Sequence, residues 1–165
     1  MSRAFYQSIH DRIEARPPLC RVVTAATGVL PGIVYAVYPL LLLFLLLRNR
    51  AALPRAVIVP ALGFLTVTAL RAAINAPRPY ETLGIPPLTP KETKGKSFPS
   101  RHGACAAVIA VTALNVLPPL GAGLCVLALL IGLSRVLSGV HFIRDAVCGL
   151  ALGAVIGWVG MYLIP

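Results

Sequence analysis

Long apolar runs separated by short charged or proline-rich breaks make up most of this 165-residue chain. A helix needs roughly 20 apolar residues to cross a hydrocarbon core about 30 Å thick. Five runs approach or exceed that length, at about 22–47, 56–74, 103–117, 120–137 and 142–164. The third run reaches a spanning length only when it is extended back through His102 to Ser100, which places these polar residues at a membrane surface. The pattern predicts an all-α, polytopic membrane helix bundle with about five transmembrane helices.

The composition agrees with a membrane protein of one domain, residues 1–165. Hydrophobic residues make up 58% of the chain and the mean hydropathy is +0.84, more than a soluble core of this size needs. Charges are scattered through residues 1–18, and this segment lacks the apolar core of a secretory signal. We therefore expect the first apolar run to remain in the mature protein.

The N-terminal segment 2–15 places Ala4, Phe5, Ile9 and Ile13 between basic residues. This spacing allows two interpretations. The segment is either an amphipathic helix that lies in the membrane interface or a basic tail.

The charge balance indicates an anionic partner. Fifteen Lys and Arg residues against five acids give a net charge of +10, which suits lipid headgroups or a phosphorylated substrate in the bilayer. No nucleic-acid partner is expected. The acids are Asp11, Glu14, Glu81, Glu92 and Asp145. Because metal-dependent phosphatases use several convergent carboxylates, we expect no metal and no cofactor.

Three polar clusters interrupt the apolar second half of the chain, where an unpaired charge in a membrane span is costly. They are Arg71 with Arg78; Ser100 with Arg101 and His102; and Ser134 with Arg135, His141 and Asp145. The first two clusters flank one loop and so share a membrane face. The third and fourth helices then cross the membrane out and back, which returns the third cluster to that face. Helix parity therefore predicts that all three clusters meet in one pocket.

Four residues of these clusters suit phosphate binding. The guanidinium groups of Arg71, Arg78 and Arg135 match phosphate oxygens and spread the charge of a transition state. The hydroxyl of Ser100 adds a further polar group, and the N-termini of two helices add backbone N–H donors.

The histidines suit phosphoryl transfer. His141 and Asp145 are four residues apart and share a helix face, so that the carboxylate is able to hold one imidazole nitrogen while the other acts as nucleophile. His102 remains as a general acid for the departing oxygen. The structural alternatives are a hydrogen-bonding histidine, an ion pair of Asp145 with an arginine, and an interfacial anchor at Arg71. The placement of all these residues on one face favours the catalytic interpretation.

The motifs in these clusters resemble those of the type 2 phosphatidic acid phosphatase superfamily, which includes bacterial lipid phosphatases and soluble vanadium haloperoxidases. The family patterns are Lys, six residues, Arg-Pro; Pro-Ser-x-His; and Ser-Arg, five residues, His, three residues, Asp. They are met, in this order, by Arg71, Arg78 and Pro79; by Pro99, Ser100 and His102; and by Ser134, Arg135, His141 and Asp145. The match covers about residues 71–145 and is specific, because three motifs occur in the family's order.

The resemblance implies a role for each matched residue. His141 would form a phosphohistidine, Asp145 would orient it and His102 would be the general acid. The phosphate cradle would consist of Arg71, Arg78, Ser100 and Arg135, and no metal would be needed. Two residues depart from the family pattern, because Arg71 replaces Lys and Arg101 replaces the usual Gly. We expect these departures to change substrate preference and not to abolish activity.

Many relatives have six spanning helices, whereas this pattern gives five. The small bacterial undecaprenyl-pyrophosphate phosphatases of the superfamily look similar, with an amphipathic N-terminal segment before the first span. This resemblance implies a plasma-membrane location with the pocket facing away from the cytoplasm. That orientation makes Arg48, Arg50 and Arg55 cytoplasmic, as the positive-inside rule predicts, but leaves a basic N-terminal segment outside. The charge distribution alone therefore supports neither orientation over the other.

The sequence predicts hydrolysis of a phosphomonoester or pyrophosphate on a lipid, because a pocket at the membrane surface favours substrates that partition there. Polyprenyl pyrophosphate, phosphatidate and phosphatidylglycerophosphate all fit. The alternative from another class is a transporter or binding protein for a lipid phosphate that uses the same basic pocket without catalysis. The presence of His102, His141 and Asp145 together argues against it.

Overall fold

The computed structural model describes residues 3–163, and the regular structure within that range is helical throughout. The α-helices are α1 Arg3–Glu14, α2 Pro17–Arg48, α3 Leu53–Ile74, α4 Pro79–Thr82, α5 Arg101–Val116, α6 Pro118–Leu137 and α7 Ile143–Trp158. A π-helical segment, Val159–Leu163, follows α7. The prediction of an all-α helix bundle is confirmed.

Each of the five predicted apolar runs forms a helix, but only four of these helices are long and apolar enough to cross a membrane by themselves. The exception is α5, whose 16 residues span about 24 Å, less than the hydrocarbon thickness of about 30 Å. The helix extends back beyond the apolar run through His102 to Arg101, and Ser100 is its N-cap. Because α2, α3, α6 and α7 all pack against α5, the protein itself surrounds the short helix.

Small residues bring α5 and α7 into close contact. A Cβ atom added at Gly149 or Gly153 of α7 would overlap the backbone of Ser100 or Ala104, respectively, so the two helices approach as closely as their backbones allow. The backbone N–H of Ser100 donates to the carbonyl oxygen of Asp145 at 2.8 Å. This contact aligns the N-terminal ends of α5 and α7, where two of the polar clusters lie.

The N-terminal segment is a helix docked on the protein, not a basic tail. Its buried residues are Tyr6, His10 and Ile13. The hydroxyl of Tyr6 accepts a hydrogen bond of 2.9 Å from the backbone N–H of Ile143, and its ring meets Phe142 edge-on at 5.4 Å. Phe5 is 43% exposed, and its ring meets the Tyr6 ring edge-on at 5.9 Å. Helix α1 therefore covers the end of the bundle at which α7 begins.

The helix ends that carry the three polar clusters meet at one end of the bundle. Arg71 of α3 donates to the carbonyl oxygen of Pro99, immediately before α5. Arg78 donates to the carbonyl oxygen of Val140, between α6 and α7. Successive helices thus cross the bundle in alternating directions, as helix parity predicts. We call the end at which the three clusters meet the site end.

Candidate active site

A pocket of about 230 Å³ opens at the site end of the bundle. Its wall consists of Thr68, Arg71, Ala72, Arg78, Lys91, Thr93, Lys96, Arg101, His102, Arg135, Val140 and His141. Half of these residues are Lys or Arg, two are His, and no carboxylate is among them. Such a wall favours an anion that accepts hydrogen bonds. Two larger cavities, of about 690 and 570 Å³, lie between helices, have mainly apolar walls and contain no histidine.

Backbone carbonyls hold Arg71 and Arg135 in the pocket wall. One terminal nitrogen of Arg71 donates to the carbonyl oxygens of Ser97 at 3.2 Å and Pro99 at 2.7 Å. One terminal nitrogen of Arg135 donates to the carbonyl oxygen of Thr27 at 2.7 Å. The Nε atom of Arg135 is buried and has no hydrogen-bond partner among the described residues. A bound phosphate would satisfy donors of this kind, since an unpaired buried donor is costly.

Arg78 is held by a turn at Gly95 that is itself tethered to Glu81, called the tethered turn. Its Nε donates to the carbonyl oxygen of Gly95 at 3.0 Å, while its backbone N–H donates to the carboxylate of Glu81 at 2.8 Å. The same carboxylate accepts the backbone N–H of Gly95 at 2.9 Å. Gly95 has φ +63°, a left-handed conformation, and an added Cβ would contact the side-chain oxygen of Asn75 at 2.5 Å. The turn at Gly95 therefore requires glycine and places the guanidinium of Arg78 at the pocket.

A buried serine lies between the predicted nucleophile and its orienting carboxylate. Nδ1 of His141 is 3.7 Å from Oδ2 of Asp145 but 3.3 Å from Oγ of Ser97. The hydroxyl of Ser97 and the backbone N–H of Phe142 both donate to that Oδ2 atom, at 2.5 and 3.1 Å. The predicted pairing of His141 with Asp145 thus occurs, but it is longer than a hydrogen bond and Ser97 bridges it.

This arrangement determines which imidazole nitrogen is available. Because Nδ1 of His141 faces Ser97 and Asp145, Nε2 is the nitrogen that remains for a substrate in the pocket. Burial lowers the pKa of His141 from its ordinary value, and the positive charge of Arg78 acts in the same direction, whereas Asp145 opposes it. The imidazole is therefore neutral at neutral pH, as a nucleophile must be.

The structure brings most of the predicted residues together but separates one from the pocket. Arg71, Arg78, His102, Arg135 and His141 line it. Asp145 is fully buried behind His141, as an orienting group would be. Ser100 does not line the pocket. It is fully buried, and its hydroxyl accepts the backbone N–H of Gly103 at 3.5 Å, because it caps the N-terminus of α5.

Sequence reasoning missed Ser97 and the pocket-lining lysines. Ser97 lies two residues before Pro99 and belongs to none of the three motifs, so that only its hydrogen bonds show its position beside Asp145. Lys91 and Lys96 lie in the long, proline-rich loop of residues 83–100, and the available signal was their positive charge near the second motif.

Comparison with known proteins shows the same fold. The crystal structure of LpxE from Aquifex aeolicus matches with a TM-score of 0.75 at 28% sequence identity, covering 95% of this chain and 92% of that chain. The crystal structure of the first transmembrane PAP2 type phosphatidylglycerolphosphate phosphatase from Bacillus subtilis matches with a TM-score of 0.69 at 24% identity, covering 95% and 83% of the two chains. A search of curated protein sequences found no match.

The family model described as the PAP2 superfamily matches residues 51–165, which is more than half of the chain and includes all three motifs. The resemblance inferred from the motifs is confirmed. The chain therefore belongs to the PAP2 superfamily and is an integral membrane lipid phosphatase.

Proposed function

We propose that this phosphatase hydrolyses a lipid-linked phosphomonoester or pyrophosphate through a phosphohistidine intermediate on His141. The observation that carries the proposal is the position of His141 in the wall of a cationic pocket, with Nδ1 turned towards Ser97 and Asp145. A binding protein or transporter would need the cations but not a buried imidazole oriented in this way.

The reaction has two steps. Nε2 of His141 attacks the phosphorus atom, the bond from phosphorus to the leaving oxygen breaks, and His102 gives that oxygen a proton. His102 then takes a proton from water, the water oxygen attacks phosphorus, the phosphorus–nitrogen bond breaks and phosphate leaves. The guanidinium groups of Arg71, Arg78 and Arg135 stabilise the charge on the phosphoryl oxygens in both steps. Asp145, with Ser97, stabilises the positive charge that His141 gains.

Lipid substrates suit the location of the pocket. It lies at the end of a bundle whose helices expose large apolar side chains along their lengths, including Leu40, Leu62, Leu65 and Leu129. A substrate held by its hydrocarbon chain in the bilayer therefore presents its headgroup near this end. Polyprenyl pyrophosphate, phosphatidate and phosphatidylglycerophosphate all have headgroups that the pocket chemistry accepts.

Phosphate release by the purified protein in detergent, measured on a panel of these lipids with EDTA present, tests the proposal. We expect turnover to continue undiminished in EDTA, because guanidinium groups and an imidazole perform the functions for which other phosphatases use metal ions. Loss of turnover in EDTA, with recovery when magnesium is added, would contradict metal independence. Absence of turnover on every lipid would contradict the substrate class.

The bridging position of Ser97 leads to a second prediction. Ser97→Ala should lower kcat roughly 10- to 100-fold with little change in KM, because a hydrogen bond to a charged group contributes about 1.5–3 kcal/mol. Without the hydroxyl, the charge of Asp145 acts more directly on His141 and raises its pKa. The acid limb of the kcat/KM profile should therefore move to higher pH, since activity is lost as pH falls through that pKa.

Ser138 provides the matched control for Ser97. It is also a fully buried serine at the site end, but its hydroxyl donates only to the carbonyl oxygen of Arg135. Ser138→Ala should leave the acid limb where it is. If the two variants have the same pH profile, Ser97 has a structural role only.

The orientation of the pocket is a third prediction, which rests on the family resemblance and on Arg48, Arg50 and Arg55 at the opposite end. Cysteines introduced at Thr89 and Asn49 should react differently with an impermeant thiol reagent on intact cells, with position 89 labelled from outside. The background must lack the native cysteines, Cys20, Cys105, Cys125 and Cys148. Labelling of position 49 alone would reverse the assignment.

A further inference from the structure

The six cations of the pocket form two layers that differ in burial. Arg71, Arg78 and Arg135 are no more than 8% exposed, and backbone carbonyls fix all three. The other three cations are Lys91, which is half-buried, and Lys96 and Arg101, which are exposed. These three line the same pocket nearer its mouth.

The outer cations are positioned, although they are exposed. The guanidinium carbon of Arg101 lies 5.6 Å from the centre of the Phe64 ring, a cation–π contact that fixes this side chain against α3. The backbone N–H of Lys96 donates to the side-chain oxygen of Asn75 at 3.2 Å, next to the tethered turn at Gly95. Two different elements, the start of α5 and the end of the long loop, therefore direct cations to one opening.

Lys91 faces the other cations of the pocket. Burial lowers its pKa from the ordinary value, and the charges of Arg78, Arg135, Arg101 and Arg71 lower it further. No carboxylate lines the pocket to offset this repulsion. An anion bound between Lys91 and these arginines would relieve it.

A single phosphomonoester does not account for both layers. It carries a charge of about −1.5 to −2 and three acceptor oxygens, which the three inner guanidinium groups already match. The outer layer would then remain uncompensated above the bound group. A second phosphoryl group, joined to the first through oxygen, would place further acceptor oxygens beside the outer cations.

We propose that Lys91, Lys96 and Arg101 form an outer anion subsite that binds the lipid-proximal phosphate of a diphosphate ester. This inference rests on the proposed function and narrows its substrate class to lipid diphosphates. Nε2 of His141 attacks the terminal phosphorus, and the bond to the bridging oxygen breaks. His102 gives the bridging oxygen its proton, so a lipid monophosphate leaves and the phosphohistidine is hydrolysed as before. The outer subsite stabilises the charge on that leaving monophosphate.

The test compares initial rates on decyl diphosphate and decyl monophosphate in one detergent with EDTA. Wild type should prefer the diphosphate, and Arg101→Ala should lower kcat/KM for the diphosphate roughly 10-fold while changing it for the monophosphate no more than about 2-fold. Arg101→Lys, which keeps the charge, should retain most of the preference. Lys94→Ala is the matched control, because Lys94 is an exposed lysine of the same loop that does not line the pocket.

Inhibition provides a second measurement that does not depend on turnover of either ester. Methylenediphosphonate should inhibit wild type more strongly than inorganic phosphate does, and Arg101→Ala should weaken only the inhibition by the diphosphonate. Equal losses on both esters in Arg101→Ala, or a wild type that prefers the monophosphate, would overturn the outer subsite and leave the phosphatase proposal intact. Hydrolysis of neither ester by wild type would contradict both.

Discussion

Replacing His141 with alanine should abolish phosphate release from every substrate, whatever its leaving group, with a loss of roughly 10⁴-fold or more in kcat. The reason is that, in the proposed mechanism, Nε2 of His141 forms the bond to phosphorus, and no other described nucleophile lies in the pocket wall with an orienting carboxylate behind it. The measurement is phosphate release from an alkyl phosphate and from p-nitrophenyl phosphate by purified protein in detergent.

Trapping supplies the direct evidence for a covalent intermediate. The enzyme is mixed with substrate labelled in the phosphoryl group, and the reaction is quenched in alkaline denaturant. Label should remain bound to the wild-type protein and not to His141→Ala. His10→Ala is the control, because His10 is also buried but belongs to α1 and does not line the pocket. Substantial alkyl phosphatase activity in His141→Ala would refute the covalent mechanism.

The protonation state of His141 determines the expected pH dependence of the activity. Burial lowers the pKa of His141, and only the neutral imidazole attacks phosphorus. The acid limb of activity should therefore lie below the ordinary imidazole range, because His141 stays neutral until the pH falls through its lowered pKa, whereas the need for a protonated His102 sets the basic limb. An acid limb of kcat/KM above the ordinary pKa of histidine would be inconsistent with this environment.

Replacing His102 with alanine should have an effect that depends on the leaving group. A general acid contributes about 10²- to 10⁴-fold when the departing alkoxide is a poor leaving group, and far less when the group leaves readily without a proton. His102→Ala should therefore lose most of its activity towards an alkyl lipid phosphate and keep much more towards a p-nitrophenyl ester. His102 lines the pocket on a different helix from Asp145, so it is free to serve the leaving oxygen.

The comparison of the two substrates separates the roles of the two histidines. Equal losses on both esters would remove His102 from the role of general acid and make it a binding residue. A loss in His141→Ala that varied with the leaving group would mean that the first step does not form a bond to that histidine. Retention of detergent-solubilised, monodisperse protein in both variants is the control for folding.

The sequence determined the class of the protein, the helices and the end of the bundle at which the chemistry lies. These follow from local properties, because a run of about 20 apolar residues has to form a helix in lipid, where every backbone group needs an internal partner. The number of helices between two clusters then decides whether they share a face. The spacing of Arg71, His102, His141 and Asp145 in recognisable motifs identified the family.

The sequence did not predict the contact of α5 with α7, because this contact depends on residues distant in the chain. At Gly149 and Gly153 the backbone of α7 lies close to that of α5, which brings the backbone of Ser100 against that of Asp145. This contact buries Ser100, whose side chain caps α5. The spacing of these glycines was a signal that motif reading left unused.

Only the tertiary structure decided how His141 is held and how many cations line the pocket. Ser97 reaches Asp145 across 48 positions of sequence, and Arg135 reaches the carbonyl oxygen of Thr27 across 108. Loop residues such as Lys96 enter the pocket because a turn tied to Asn75 and Glu81 directs them there. Distances of this kind arise from the packing of all the helices together, and no local pattern of residues encodes them.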